Sequence, residues 1–114
     1  MSVTRGSVYF IDFGARVGSV QQGVRPAVII SCNAGNHHSK TIIVAAITSN
    51  PRKRIDLPIH VRVENTKGII PGAIVLTEQL MTVDKTQIVS YIGKLDETAM
   101  ENVNNALKIS VGID

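Results

Sequence analysis

GVRPAVIIS, residues 23–31, sets a single arginine against a proline at the mouth of an apolar run. Proline fixes its own φ and steers the residue before it toward extended geometry, so Arg25 cannot open a helix and sits at a loop-to-strand junction. Ala27, Val28, Ile29 and Ile30 then make a short, mostly β-branched run bounded by turn residues, which reads as a strand covered on both faces. A cation at the rim of such a strand is either a positioned functional group or a solvated strand end. Lone surface arginines are usually the second.

The same pattern recurs outward from this stretch. SVYFID (7–12), PAVIIS (26–31), TIIVAAIT (41–48), PIHVRV (58–63), AIVLTEQL (73–80) and QIVSYIGKL (87–95) read as six strands, separated by Asn-Pro, Lys-Gly and Pro-Gly breakers. Between the first two lies FGARVGSVQQGV with Gly14, Gly18 and Gly23, a loop long for a hairpin and of the kind that carries function; it delivers Arg25. SCNAGNHHSK reads as a turn-rich loop. Only the C-terminal segment has a helical period: Met100, Val103, Leu107 and Val111 form one stripe, Asp96 is placed to cap it, and Leu95 and Met100 have the spacing of a hydrophobic staple. Mainly β, with a mostly antiparallel sheet of six short strands and one C-terminal helix, points to a small barrel that the helix caps or flanks.

At 114 residues the chain reads as a single domain, 1–114, able to bury about 65% of its unfolded surface without a metal or disulfide. Its 44% apolar and 18% charged composition is that of a packed globule. No apolar run approaches the ~18 residues of a membrane span, and MSVTRGSVYFIDF lacks the continuous apolar region of a signal peptide. A cytoplasmic protein is the expectation. Cys32 is the only cysteine, which excludes an internal disulfide and a thiolate-rich metal site. The net charge of +3 is unevenly divided: residues 1–57 hold seven Lys/Arg and two acids, residues 58–114 five and seven. A cationic first half suits an anionic partner, of which nucleic acid is the commonest.

Catalytic signatures of the metal and histidine kinds are missing. His37 and His38 are adjacent and His60 falls within an expected strand, so no ligand spacing calls for a metal or other cofactor. Thr48 closes the third strand, where threonine is also simply a favoured residue. If the second and third strands are antiparallel neighbours, Arg25 and Thr48 meet on one rim. Followed by Arg52-Lys53-Arg54, they make a site suited to a phosphate.

RGSVYFIDF, GSVQQGVRPAVIIS, GNHHSKTIIVAAIT, the Leu-Pro of DLPIHVRV, LTEQLMTVDK and the terminal helix, in this order and spacing, resemble the MazF/PemK toxins of bacterial toxin–antitoxin systems over essentially the whole chain. The resemblance implies an SH3-like barrel of the MazF/PemK/CcdB-like kind and a homodimer. It also implies a metal-independent endoribonuclease that cuts single-stranded RNA at short recognition sequences, and a cognate antitoxin whose C-terminal tail covers the RNA-binding surface. Carried over by position, Arg25 and Thr48 match the family's catalytic pair, and Ser19 and Gln79 match positions near the substrate phosphate or base. Arg52, Lys53 and Arg54 are expected to follow the RNA backbone. Asp12 and Glu78 are candidate proton acceptors by strand position. The chain departs from the pattern at Val20 and Gln22, where related sequences often carry Glu and Gly, at Lys40 in place of a frequent Pro, and at Met81 and Gln87, where arginines are common. A gyrase-poisoning toxin of the same barrel class is the rival expectation, although Ser110 to Asp114 offers no aromatic anchor for such a contact.

Overall fold

The computed structural model describes residues 3–18, 22–49, 57–63, 67–69 and 71–113. The described strands are β1 (Ser7–Asp12), β2 (Val24–Ile29), β3 (Thr41–Thr48), β4 (His60–Arg62), β5 (Ile74–Asp84) and β6 (Ile88–Lys94); the helices are α1 (Asn33–His38) and α2 (Glu97–Ser110). All strand pairs are antiparallel and form a single six-stranded sheet in the order β4-β5-β3-β2-β1-β6.

Alternation along the central strands buries both faces, as a small barrel-like sheet requires. One face carries Val8, Val28, Ala45, Ile47, Val61 and Val75, and α2 covers it with Ala99, Val103 and Ala106. The other carries Tyr9, Ile11, Ala27, Ile29, Ile42 and Val44, covered by Val3, Phe13 and the far half of β5 through Val83. The staple holds: Leu95 is buried, Met100 packs against the same cluster, and the Ala99 N–H donates to the Asp96 carboxylate at 2.7 Å. Val111, expected on the helical stripe, instead follows the helix as its C-cap residue and is exposed.

β1 and β3 coincide with the segments read from sequence, whereas other boundaries move for tertiary reasons. β2 begins at Val24, two residues before Pro26, because β1 supplies partners for Val24 and Arg25 in Asp12 and Ile11. β4 is only three residues long. β5 runs on to Asp84 because Met81 to Asp84 pair with Thr41 to Val44. The expected Ser31–Lys40 loop contains α1, despite Asn, Gly and His being weak helix formers. Asn36, fully buried, holds it: its amide donates to the Ser31 carbonyl at 2.9 Å, its carboxamide oxygen accepts from the Ser31 hydroxyl, and the Lys85 ammonium reaches its backbone carbonyl. A tertiary polar cluster here overrides local propensity.

β5 is bent where it crosses β3. Neighbouring Ala46 and Ala45 pair with Leu76 and Leu80, leaving Thr77, Glu78 and Gln79 as excess on β5. Thr77 is fully buried there, and its hydroxyl donates to the Ile59 carbonyl at 2.6 Å. Its own carbonyl accepts from the Ser110 hydroxyl at the end of α2, 2.9 Å away.

The sheet's edges, β4 and β6, do not pair with each other among the described residues. Residues 67–69 lie against β6 instead. The approach leaves no room for a side chain: a Cβ on Gly68, which also has φ +87°, would stand 2.7 Å from the Ile92 carbonyl oxygen, and one on Gly93 would stand 2.6 Å from that of Lys67. Gly93→Ala therefore forces backbone apart, and is expected to destabilise the fold by about 1–3 kcal/mol, measured as a lower midpoint in urea. An unchanged midpoint would show that this contact contributes nothing to closing the sheet.

Candidate active site

Strand register relates the positions of Arg25 and Thr48. β2 and β3 pair as Ile29↔Val44, Val28↔Ala45 and Ala27↔Ala46; continuing that register by two residues sets Arg25 opposite Thr48. Both follow the alternation of Ala27, Ile29 and Val44, so both leave the same face of the sheet. At neighbouring-strand spacing their backbones stand roughly 5 Å apart. The ladder to β3 stops at Ala27, and the next residue back is Pro26, which has no N–H to offer.

Arg25 is exposed, and its Nε donates to the Gln22 carbonyl at 3.2 Å. This contact ties the guanidinium to the end of the glycine loop through the one nitrogen that a bidentate Nη grip on an anion does not use. Thr48 is half-buried, the last residue of β3, and is held from the other side by its pairing with Ile74 of β5. Gln79 lies in the excess of β5, half-exposed, beside Glu78. Ser19, Arg52, Lys53 and Arg54 lie outside the described residues.

The two carboxylates considered as proton acceptors differ. Asp12 pairs with Val24 and so faces away from Arg25, and its carboxylate accepts from the Gly14 N–H at 2.9 Å, closing the turn after β1. Glu78 is bonded to His60, its Oε2 2.9 Å from Nε2; the His60 side chain is 4% exposed and that of Glu78 37%. His37 and His38 are exposed on α1, at the end of β3 remote from Thr48. Among the described residues no three His, Cys, Asp or Glu side chains converge where a cation could be held, and no helix is long and apolar enough to cross a membrane.

The His60–Glu78 pair and the exposed Arg62 were not singled out by motif. Their signal was the two-residue spacing in HVR: on a strand it puts His60 and Arg62 on one face. Register then aligns that face with Thr48, since Arg62 and Thr48 both pair with Ile74.

The family profile of PemK-like, MazF-like toxins of type II toxin–antitoxin systems matches residues 4–111. The chain is 42% identical over 114 residues to Endoribonuclease EndoA of Bacillus subtilis (strain 168), covering 99% of this chain and 97% of that one. It is 41% identical over 110 residues to Endoribonuclease MazF of Staphylococcus saprophyticus, covering 96% and 91%. Among solved structures it is similar to a mycobacterial endoribonuclease in complex with its cognate antitoxin, with TM-score 0.81, 25% identity and coverage of 97% and 96%. MazF from Deinococcus radiodurans shares the fold at TM-score 0.83, 19% identity and 99% coverage of both chains. With the profile spanning nearly every described element, the chain belongs to the PemK-like, MazF-like toxins of type II toxin–antitoxin systems.

Proposed function

We propose that this chain is an endoribonuclease toxin that cuts single-stranded RNA through the RNA's own 2′-hydroxyl, with Arg25 and Thr48 at the scissile phosphate. The observation that supports the reading is the antiparallel β2–β3 register, whose continuation by two residues beyond Ala27↔Ala46 leads to Arg25 and Thr48, in a chain 42% identical to an endoribonuclease. The 2′-hydroxyl gives up its proton as its oxygen bonds to phosphorus, the bond from phosphorus to the 5′-oxygen breaks, and that oxygen takes up a proton as it leaves, so no proton is gained or lost overall. The products are a 2′,3′-cyclic phosphate and a 5′-hydroxyl. Because the nucleophile is built into the substrate, no metal-bound water is needed.

Charge grows on the non-bridging oxygens as the phosphorane forms. Arg25 meets it with two parallel N–H donors and Thr48 with a hydroxyl donor, both fixed before reaction by the strands that carry them. Arg25 contributes a fixed positive charge and acts as an electrostatic stabiliser rather than a base. The protein acts as a homodimer, and a cognate antitoxin neutralises it, in keeping with the antitoxin complex of the mycobacterial endoribonuclease.

Incubating the protein with a long RNA in excess EDTA and mapping the 5′ ends tests the reading. Discrete cuts with 5′-hydroxyl ends are expected; intact RNA would overturn it in favour of a gyrase-directed toxin of the same fold. Arg25→Ala is expected to lower turnover by roughly 10²- to 10³-fold with the fold retained. Arg25→Lys should also be poor, since an ammonium cannot span two phosphate oxygens. Thr48→Val removes only a hydroxyl and is expected to slow cleavage per folded molecule; a lower melting temperature with unchanged turnover would make Thr48 structural. Finally, RNA with one 2′-deoxy residue on the 5′ side of the cut should bind and stay whole, because the attacking oxygen is gone.

A further inference from the structure

We propose that Arg62 binds the RNA backbone at a phosphate neighbouring the scissile one, so that the substrate crosses the sheet at right angles to its strands. The inference rests on Arg25 and Thr48 being the pair at the reacting phosphate. Register carries it: Arg62 pairs with Ile74, Ile74 pairs with Thr48, and the β2–β3 ladder extended by two residues brings Arg25 opposite Thr48. Residues directly opposite on neighbouring strands share a face. Arg62, Thr48 and Arg25 therefore form one row across β4, β5, β3 and β2.

The chemistry of the row suits a polyanion. At strand spacing, the Thr48 backbone stands roughly 5 Å from that of Arg25 and roughly 10 Å from that of Arg62. Ile74, between hydroxyl and second guanidinium, is 2% exposed, so the polar contacts of the row are made from its two ends. Arg62 is exposed, and its long side chain can shorten the gap to a passing phosphate. A lone cation would only attract RNA; two arginines at the ends of one row also fix the direction in which a strand is laid down.

β4 is short, and what steadies it lies two residues earlier on the same face. The His60 ring is almost wholly covered and bonded to Glu78 on the bent part of β5, and the His60 N–H donates to the Leu57 carbonyl at 3.0 Å. The Ile59 carbonyl accepts from buried Thr77. Arg62 thus departs from a backbone already pinned to β5, which lowers the entropy lost when it grips a ligand. Since Arg62 stands apart from the reacting atoms, its contact is equal in ground and transition states. It governs KM rather than kcat.

The test compares wild type, Arg62→Ala, Arg62→Lys and Arg25→Ala on a short single-stranded RNA carrying a mapped cleavage site. Binding is followed by anisotropy on the same RNA made 2′-deoxy at the cut, between about 50 and 200 mM salt. Arg62→Ala is expected to raise KM roughly tenfold with kcat within about twofold, and to flatten the slope of log K against log salt by about 0.7. Arg62→Lys should restore the slope and recover only part of the affinity, having charge without a bidentate fork. If Arg62→Ala melts early, Arg62→Gln, which keeps most of the stem, takes its place. An unchanged KM and slope beside an inactive Arg25→Ala would overturn the role of Arg62 alone, as would a fall in kcat with KM unmoved. Full activity of Arg25→Ala would instead overturn the active-site reading, and the row with it.

Discussion

Thr77 donates its hydroxyl to the Ile59 carbonyl from a position with no exposure to water, and much of the molecule hangs on that bond. Three residues of β5 lie in excess opposite two consecutive residues of β3, and such an irregularity persists only where its polar groups find partners. Thr77 supplies them in two directions: its hydroxyl and N–H reach the Ile59 carbonyl before β4, and its carbonyl takes the Ser110 hydroxyl from α2. One bend thereby fixes the edge strand, the terminal helix and the middle of the sheet relative to one another. It lets β5 pair with β3 both before and after the excess, so that Val75 contributes to the core under α2 and Val83 to the core on the opposite face.

The same bend organises the candidate site. Glu78 and Gln79 belong to the excess rather than to a regular ladder, so their placement depends on Thr77 before them and on His60 beside them. β3 divides its labour along its length. From Val44 to Ala46 it lies in the sheet's interior, paired on both sides; at Thr48 the pairing is to Ile74 of β5. Arg25 is likewise paired with β1 while its β3 ladder has stopped at Ala27. The rim is therefore anchored from its outer flanks and relieved of ladder duties across its middle, where an anion would enter.

The parts of this arrangement that were legible in the sequence depend on local periodicity. β1 and β3 were bounded correctly because alternating or continuous apolar runs end there in Gly, Asn or polar residues, and the start of α2 because its stripe begins after a capping Asp96. The antiparallel pairing of β2 with β3 followed from strand order and short connections alone. What was not legible depends on contacts between distant segments. α1 forms from poor helix formers because Lys85, distant in sequence, satisfies a carbonyl of its buried Asn36. The excess in β5 carries no glycine or proline to announce it, and Arg62 gains meaning only when two successive registers join it to Thr48.

These two kinds of legibility bear differently on function. The Arg-Pro junction is local: proline imposes extended geometry on Arg25 whatever the rest of the fold does, so a guanidinium at the strand mouth is the most robust feature of the rim. Its orientation depends on the loop before it, because Nε is held by the carbonyl of Gln22, three residues earlier, in a glycine loop where Gly18 and Gly23 adopt positive φ. A loop that needs such conformations at fixed positions tolerates little substitution at the glycines but much at the residues between them. Change in the side chains between the glycines therefore leaves the hold on Arg25 intact. The backbone that positions Arg25 and the side chains that the loop displays can in this way vary independently on one short segment of chain.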